Sequence, residues 1–429
     1  MKNDAPGPRG LPLSGSAIMF RRDPICFIQK CIAHYGDVSR VRLGPYKYHI
    51  INSPSLAKEV LKDRHRFTKR TRSIDLTKLI CGENLITSDS DIWHRKRKLV
   101  QPLFHRKQLQ NLIGTIEHNA DKTIERWSQK EVVDLTRETL DITYDITTQW
   151  LFSADLQTKK SQIKQAVDGL LDTTAKRISS IIPPVLPTPR NLRFSKQKQF
   201  LYETIDELIN QRLDKSSGYD LLQLLLKQEG LDSTAHRQEV IEEAITFLMA
   251  GHETSASALC WTLHFLSQNQ EVQERVREEA LVGNHEPLSP DSLTFTKAVV
   301  KESLRLRPPI WIIERHVQEE SYLGGYRIPA SSSIVLPVYS MHRHESYWNN
   351  PQTFNPDRFL TQEDHVAYLP FGAGARSCIG SQLAMQEVTI LVARLVAKFS
   401  LSSTVLSPRF SPGLTLRPAE KVLLSVSSL

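Results

Sequence analysis

The sequence predicts a mainly helical α+β fold, and three observations lead to this prediction. From about residue 92 to residue 310 the apolar residues recur mostly with the 3.6-residue period of helices. Extended-looking runs lie nearer the two ends of the chain, at residues 38–51 and after Pro308. Neither internal repeats nor low-complexity tracts interrupt this arrangement. We therefore expect a helical body with small β-sheets formed by the chain ends, and the two ends meeting in one sheet.

Composition and charge narrow the class of protein. The 429 residues are 40% hydrophobic and 24% charged, which excludes a disordered chain, collagen and a coiled coil. Lysine and arginine outnumber aspartate and glutamate by 55 to 47, a net charge of +8. No run of roughly eighteen uninterrupted apolar residues occurs, so we expect no transmembrane segment. The first eight residues lack the apolar core of a signal peptide, so we expect a cytoplasmic protein unless an anchor has been removed.

The N-terminal region predicts a strap, a hairpin and the start of a helix. Residues 1–16 are rich in proline and glycine, so we expect an extended strap over the surface. Residues 38–43 and 48–51 are extended-looking runs joined by Gly44-Pro45, a pattern that predicts a hairpin. A helix is predicted to start at residues 53–55, where the sequence reads Ser-Pro-Ser.

The central region predicts one helix long enough to cross a whole domain. Apolar spacing from Glu239 to Phe265 predicts a helix of roughly 40 Å. Its centre, residues 250–255, places small, charged and hydroxyl side chains where a core helix would be apolar. By itself this polar stretch is compatible with a tolerated kink, because threonine can bond back to its own helix.

The C-terminal region combines strands with one last helix. A helix is expected to stop at Pro308-Pro309, because the residue before a proline disfavours helical geometry. Residues 331–336 and 421–427 read as strands. Between them, residues 379–399 have the apolar spacing of a long helix.

Cysteine placement singles out one residue. The five cysteines stand at positions 26, 31, 81, 260 and 378 without a Cys-x-x-Cys pair, which argues against a disulfide framework and a structural zinc site. Cys378 comes just before the helix that begins near Ile379, where free backbone N–H groups stabilise a thiolate. Arg376 supplies a positive charge for an anionic group beside the sulfur.

The glycines around Cys378 admit other interpretations that the sequence can test. Gly372-x-Gly374 is followed by Ser377 where a dinucleotide-binding loop needs glycine, and no Gly-Lys-Ser/Thr follows. Neither nucleotide-binding pattern therefore fits. A buried structural cysteine is the remaining alternative from the residues alone, but it leaves the rest of the segment unexplained.

The same segment resembles the haem-binding loop of the cytochrome P-450 superfamily. That loop follows the pattern Phe-x-x-Gly-x-Arg-x-Cys-x-Gly, and its fixed positions are filled by Phe371, Gly374, Arg376, Cys378 and Gly380. The resemblance implies that Cys378 is the axial thiolate ligand of haem b iron, a ligand that favours cleavage of the O–O bond. It also implies the P-450 fold, with the haem between the long central helix and the helix after the Cys loop. Phe371, Gly372, Arg376 and Gly380 are then expected at the cofactor.

Further cofactor contacts are implied by the family's other motifs. Trp93 and Arg97 match a Trp-x-x-x-Arg pattern, and on a helix they lie only about 40° apart. They are expected to hold a haem propionate, together with Arg315 and Arg376. Two carboxylates held by three arginines is a reasonable electrostatic arrangement.

The polar centre of the long helix matches the family's Ala/Gly-Gly-x-Asp/Glu-Thr motif. Ala250 is expected to leave room for O₂ beside the iron. Glu253 and Thr254 are expected to relay protons to the distal oxygen through ordered water. The intact acid–alcohol pair favours oxygen activation over the family's rarer isomerase and dehydratase reactions.

Three charged residues match a structural network of the family. Glu302 and Arg305 form a Glu-x-x-Arg motif, and Arg358 lies in the matching later segment, Asn355 to Phe359. We interpret them as structural residues that shape the proximal side of the haem pocket. Without the resemblance, the first two would be read as a surface ion pair of negligible value.

A basic surface is predicted beside the haem. Arg95 and Lys98 point away from the Trp93 face of their helix, and Arg106 and Lys107 follow. In the family this side docks an electron donor, and a basic patch suits an acidic ferredoxin or flavodoxin, which would act with its reductase. A merely solvated face is the alternative. The positive charge therefore gives no reason to expect nucleic acid.

The expected substrate is a lipophilic small molecule. Ile86, Ala250, Ile310 and Leu414 are the expected substrate contacts, and all are apolar. The resemblance implies a monooxygenase of secondary metabolism that hydroxylates or epoxidises a terpenoid, fatty acid or polyketide-like molecule with O₂. A haem-thiolate isomerase or peroxygenase, or a non-catalytic haem sensor or electron carrier, is the alternative. We expect a monomer and one domain over residues 1–429.

Overall fold

The structure is a computed structural model that describes residues 4–153, 156–178, 183–213, 220–227, 234–282, 290–361, 365–403 and 405–429. Its α-helices are α1 Ala17–Arg22, α2 Pro24–Tyr35, α3 Pro54–Lys62, α4 Arg72–Cys81, α5 Ser90–Val100, α6 Arg106–Gln110, α7 Ile113–Trp127, α8 Leu135–Phe152, α9 Lys160–Ile178, α10 Pro189–Leu213, α11 Leu221–Leu226, α12 Thr234–Gln268, α13 Gln270–Val282, α14 Thr294–Leu306, α15 Val338–Met341 and α16 Ser381–Lys398. Short 3-10 helices cover Gln101–Phe104, Gln157–Lys159, Pro356–Phe359 and Gly374–Arg376.

Short strands account for the remaining regular structure of the described residues. They are β1 Val38–Leu43, β2 Tyr46–Ile51, β3 Phe67–Thr68, β4 Val132–Asp134, β5 Ile313–Val317, β6 Ser321–Leu323, β7 Tyr326–Ile328, β8 Ser333–Leu336, β9 Phe399–Ser402, β10 Phe410–Pro412, β11 Leu416–Pro418 and β12 Leu423–Ser428. The mainly helical class with small β-sheets is therefore confirmed.

The strands form separate sheets. One has the order β1-β2-β8-β5-β3, with β2 and β8 parallel. A second has the order β4-β12-β9, and β6–β7 and β10–β11 are two-stranded. The expectation that the two ends meet in one sheet is confirmed for the N-terminal hairpin and β8, which pair directly. It does not hold for the last strand, because β12 pairs with β4 and β9 in a separate sheet. Strand β4 lies between α7 and α8 in the chain and pairs with β12. The sequence did not predict this strand as a partner.

The N-terminal hairpin forms as predicted, and the lead packs against it. Strands β1 and β2 are antiparallel, with Val38 opposite Ile51. The guanidinium of Arg42 donates to the carbonyl of Leu11 at 2.6 Å. Gly15 has φ +58°, and an added Cβ would lie 2.2 Å from the Arg42 carbonyl oxygen, so only glycine fits there. The described part of the lead is therefore fixed to the hairpin.

Helix α12 is the central element of the helical body. It packs against α8, α14 and α16, and its apolar face belongs to two large buried clusters. The helix is longer than predicted and continues through its polar centre, where Thr254 Oγ1 donates to the Ala250 carbonyl at 2.8 Å. Among the described residues, no helix is both long and apolar enough to span a membrane.

Candidate active site

A large cavity lies between α12 and the loop that precedes α16. It has a volume of about 360 Å³, and most of its wall is apolar. Residues from every predicted motif of the site line it: Ile86, Trp93, Arg97, Ala250, Thr254, Ile310, Arg315, Phe371, Gly372, Arg376, Cys378 and Gly380. Motifs that are far apart in sequence therefore converge on one space.

The Cys loop is held in a tight conformation. Gly374 has φ +70°, and a Cβ there would lie 2.4 Å from the Leu61 carbonyl oxygen. The backbone N–H of Cys378 donates to the Phe371 carbonyl at 2.9 Å, which closes the loop. Arg97 donates to the carbonyl of Ser377 at 3.0 Å. These contacts fix the backbone on both sides of the cysteine.

The Cys378 thiol forms part of the cavity wall. Most of the thiol is surrounded by protein. The part of its surface that is exposed borders the cavity. Burial raises the pKa of the Cys378 thiol, while the Gly380 N–H and the charge of Arg97 act in the opposite direction. A metal ion at this sulfur would displace its proton.

Four cationic side chains border the cavity on one side: Lys69, Arg97, Arg315 and Arg376. Arg376 donates to Asp89 Oδ1 at 2.7 Å, but its Nη1 atom is buried without any partner. Burial lowers the pKa of Arg315 to about 10, and that of Arg376 to about 10 as well, so both stay charged at neutral pH. This side therefore has capacity for additional anionic groups.

Sequence reasoning missed Lys69 in this cluster. Part of the side chain is accessible along the cavity wall, but burial, with the neighbouring Arg315 and Arg376, lowers the pKa of Lys69 to about 7. Its backbone N–H donates to Asp89 Oδ2 at 2.9 Å. Lys69 belongs to no motif used above, and only its position directly after β3 hints at a defined orientation.

Helix α5 has the two faces that its sequence predicts. Trp93 is buried, and the Arg376 guanidinium carbon lies 4.2 Å from its ring centroid, a cation–π contact. Arg95 is exposed on the other face and pairs with Glu239 at 3.3 Å, and Lys98 is exposed too. Arg106 pairs with Asp291 at 2.5 Å. Lys107, on α6, is exposed as well.

Glu253 and Thr254 face different surroundings. Thr254 lines the cavity, whereas Glu253 does not. The Glu253 carboxylate accepts from Thr415 Oγ1 at 2.7 Å and lies 3.3 Å from Arg417 Nη1. Burial is the main influence on Glu253 and raises its pKa. The acid and the alcohol of the predicted relay are thus adjacent in sequence but are not both on the cavity wall.

A second buried acid, which sequence reasoning missed, does line the cavity. Glu387 lies on α16 and accepts from Ser255 Oγ at 2.9 Å, while its Oε1 has no hydrogen-bond partner. Burial raises the pKa of Glu387 to about 8, and the Ser255 bond opposes this shift only partly. The sequence does contain a signal for Glu387, because this acidic residue stands in an otherwise apolar stretch of α16.

The predicted substrate residues are only partly brought together. Ile86, Ala250 and Ile310 line the cavity, but Leu414 does not. The neighbouring backbone is bound elsewhere, because Trp311 Nε1 donates to the Gly413 carbonyl at 2.9 Å and the N–H of Leu416 donates to Pro309 at 2.7 Å. Leu414 therefore does not border this cavity, and its contact with substrate stays a prediction.

The predicted charge network is present in the interior. Arg305 donates twice to the Glu302 carboxylate, at 2.7 Å each, and Arg358 donates to the same carboxylate at 3.1 Å. The backbone N–H of Asn355 adds a fourth bond at 2.9 Å. Glu302 and Arg305 are fully buried, so this is a buried network and not the surface ion pair considered from sequence.

Haem fits the cavity that these residues form. The apolar walls suit its ring, and Cys378 offers a sulfur ligand at the wall. The partnerless Nη1 of Arg376 and the neighbouring cations suit two propionate groups. These features lie on a single cavity, which is the arrangement that the cofactor requires.

Comparison with known proteins agrees with this fit. A family model described as "Cytochrome P450" matches residues 5–425. Cyclooctatin synthase of Streptomyces melanosporofaciens is 30% identical over 98% of this chain and 94% of its own length. Cyclooctat-9-en-7-ol 5-monooxygenase of the same organism is 30% identical over 95% and 90%. Pentalenene oxygenase of Streptomyces avermitilis is 31% identical over 92% and 90%. The chain belongs to the cytochrome P450 family.

Proposed function

We propose that this P450 monooxygenase hydroxylates or epoxidises a terpenoid. The observation that carries the proposal is a mainly apolar cavity that contains the Cys378 thiol and the hydroxyl of Thr254. A lipophilic skeleton matches such walls, since few polar groups are available to orient a polar substrate. Three relatives are named cyclooctatin synthase, cyclooctat-9-en-7-ol 5-monooxygenase and pentalenene oxygenase, and these names support the terpenoid class within secondary metabolism.

When bound, haem b would supply the iron at which O₂ is activated, and a cysteine thiolate would be its protein ligand. We propose Cys378 as that ligand, with Phe371, Gly372 and Gly380 as its supporting loop. Trp93, Arg97, Arg315 and Arg376 are proposed to hold the propionates. In this arrangement the three arginines would stay charged and would neutralise two carboxylates.

Residues on α12 are proposed to handle oxygen and protons. Ala250 leaves space beside the helix, and Thr254 presents a hydroxyl to the same space. Glu253 is proposed as the acid of the relay. Its carboxylate is bound to Thr415 and close to Arg417, so it must exchange these contacts before it can reach water beside Thr254.

Two optical measurements test the function. Under carbon monoxide, the reduced protein is expected to show the red-shifted Soret band of a thiolate haem, and Cys378→Ser is expected to abolish it. An unchanged band in that variant would overturn the ligand assignment. Titration of the ferric protein with terpenes, fatty acids and polyketides is expected to change the spin state for terpenes at the lowest concentrations; a preference for another class would overturn the substrate assignment.

The electron donor is proposed to be an acidic ferredoxin, with a flavodoxin as the alternative, each acting with its reductase. Arg95, Lys98, Arg106 and Lys107 provide positive charge that suits such a partner. We further propose that the protein works in the cytoplasm as a monomer and that the chain is a single domain. Motifs from residue 93 to residue 380 border one cavity, which supports the single domain.

A further inference from the structure

The loop that brings Leu85 and Ile86 to the cavity is bound to α12 by two consecutive glutamates. It covers residues 82–89, between α4 and α5. The N–H of Glu83 donates to Glu242 Oε2 at 3.2 Å, and the N–H of Leu85 donates to Glu243 Oε2 at 3.3 Å. Carboxylates of the central helix thus hold the backbone of this loop directly.

The start of the loop favours glycine, because its backbone has a positive φ and faces the carboxyl end of the Glu242 side chain. Gly82 has φ +56°, and an added Cβ would lie 2.0 Å from the carboxyl carbon of Glu242. Within the loop, Asn84 Oδ1 accepts from the N–H of Ile86 at 2.8 Å and from that of Thr87 at 3.2 Å. Because of these internal bonds, a displacement at Leu85 is transmitted to Ile86.

Glu243 is neutralised by a buried lysine. Lys96 Nζ lies 2.9 Å from Glu243 Oε1, and the side chains of Lys96 and Glu243 are only 6% and 4% exposed. Burial raises the pKa of the Glu243 carboxyl, and the nearby ammonium of Lys96 opposes this shift. Removing Lys96 would leave the buried carboxylate of Glu243 without a cation, and removing the charge of Glu243 would leave Lys96 with only the more exposed carboxylate of Glu239 at 4.0 Å. Loss of a buried partner is far more costly than loss of a surface pair. Lys96 belongs neither to the proposed haem contacts nor to the exposed basic face.

The pair connects three elements of the active site. Lys96 lies on α5 directly before Arg97, and Glu243 lies two turns before Ala250 on the same side of α12. Leu85 and Ile86 border the cavity together with Ala250. The pair therefore joins the elements whose separation determines the width of the cavity.

We propose that the buried Lys96–Glu243 pair sets substrate width, by fixing the Leu85–Ile86 wall relative to α12. Both residues act through the loop and are positioning residues, not catalytic ones. The inference deepens the proposed function, on which its substrate class rests. The pair is expected to discriminate between lipophilic molecules of similar polarity but different breadth. Monocyclic terpenes and terpenes with two or three fused rings are examples.

The test compares Lys96→Met and Glu243→Gln with the wild-type holoenzyme. Spin-state titrations with terpenes of increasing breadth are expected to show that the ratio of Kd values for broad and narrow ligands changes by about tenfold in both variants, because a buried partner is lost. Hydrogen exchange is expected to become faster at the amides of residues 83–88. Lys78→Met is the matched control: it removes the exposed pair with Glu83 in the same loop and is expected to leave the ratio unchanged.

Unchanged Kd ratios and exchange rates in both variants would overturn the inference. Where Lys96→Met does not incorporate haem, the double variant Lys96→Met/Glu243→Gln removes the unpaired charge and carries the same test. Exchange is measured without substrate, so it supports or overturns the loop contact even when no terpene binds. A wild type that binds fatty acids in place of terpenes would contradict the proposed substrate class, and the ratio would then be measured with branched and linear fatty acids.

Discussion

Thr254 supplies the hydroxyl of the α12 motif that borders the cavity. Its Oγ1 donates a hydrogen bond to the Ala250 carbonyl at 2.8 Å. We expect Thr254→Ala to keep haem but to divert electrons from product into peroxide, because proton delivery beside the iron loses its hydroxyl. Product, peroxide and NAD(P)H consumption measured together give the coupling. Thr254→Ser retains the hydroxyl and is expected to restore most of the coupling; equal coupling in the wild type and Thr254→Ala would contradict the role.

Glu387 gives the protein a pH dependence of its own. Burial raises its pKa from the ordinary 4.5 to about 8, so between these values the folded protein holds a proton that the unfolded chain has lost. Stability conferred by this group is complete below about pH 4.5 and is lost as the pH rises toward 8. The slope for one proton reaches ~1.4 kcal/mol per pH unit.

Glu387→Gln removes this titration. We expect the denaturation midpoint of the variant to fall less than that of the wild type between about pH 5 and about pH 8. The comparison uses both proteins in the haem-bound form, so that other groups contribute equally. Parallel pH profiles would show that Glu387 is ionised in the folded protein and that its pKa is not raised.

At the scale of elements, Glu302 joins α14 to the 3-10 helix Pro356–Phe359. Its carboxylate accepts from Arg305, from Arg358 and from the backbone of Asn355. Glu302→Gln keeps the shape but leaves the fully buried Arg305 without an anionic partner, so we expect a loss of about 3–5 kcal/mol in stability. Denaturant unfolding followed by far-UV circular dichroism measures this loss.

A neighbouring exposed pair is the matched control for Glu302. Asp357 lies in the same 3-10 helix and pairs with Arg275 at 2.7 Å, with both side chains largely exposed. Asp357→Asn is expected to cost less than about 1 kcal/mol, because solvent screens the pair. Similar losses of unfolding free energy in Glu302→Gln and Asp357→Asn would mean that the buried network stabilises the fold no more than the exposed pair does.

The sequence predicted elements far better than their pairing. The hairpin β1–β2, helix α12 and helix α16 depend on local spacing, and they were predicted within a few residues. The pairing of β12 with the three-residue strand β4 depends on contacts between distant segments, so local pattern could not reveal it. The position of Leu414 outside the cavity wall has the same origin, since contacts with distant segments hold its loop.

Within the site, the residues with a fixed motif spacing were predicted and those without one were not. Cys378 and Arg376 were found because their loop has five constrained positions. Lys69 and Glu387 reach the cavity through tertiary packing alone, and no spacing relates them to the other site residues. Glu253 shows the converse: its motif was recognised, but the orientation of its carboxylate depends on Thr415 and Arg417, far away in sequence.

At the scale of the whole molecule, the net charge of +8 does not say which cations are available to a partner. On the predicted basic surface, Arg95 and Arg106 are already paired with Glu239 and Asp291. The contacts of the described residues include no ion pair for exposed Lys98. The same holds for Lys107 in the part of the chain that is described. Attraction of the proposed acidic electron donor is therefore expected to depend more on these two lysines than on the arginines.

Reversing the charges of Lys98 and Lys107 tests whether these two lysines attract the electron donor. We expect Lys98→Glu/Lys107→Glu to slow reduction by an acidic ferredoxin at low salt and to flatten the dependence of the rate on ionic strength, because steering acts through long-range charge. Stopped-flow reduction under carbon monoxide measures the rate. Lys30→Glu/Lys47→Glu reverses two exposed charges, on α2 and β2, and is the control for net charge. Equal rates and salt slopes in the double variant and this control would place the docking site on another face of the protein.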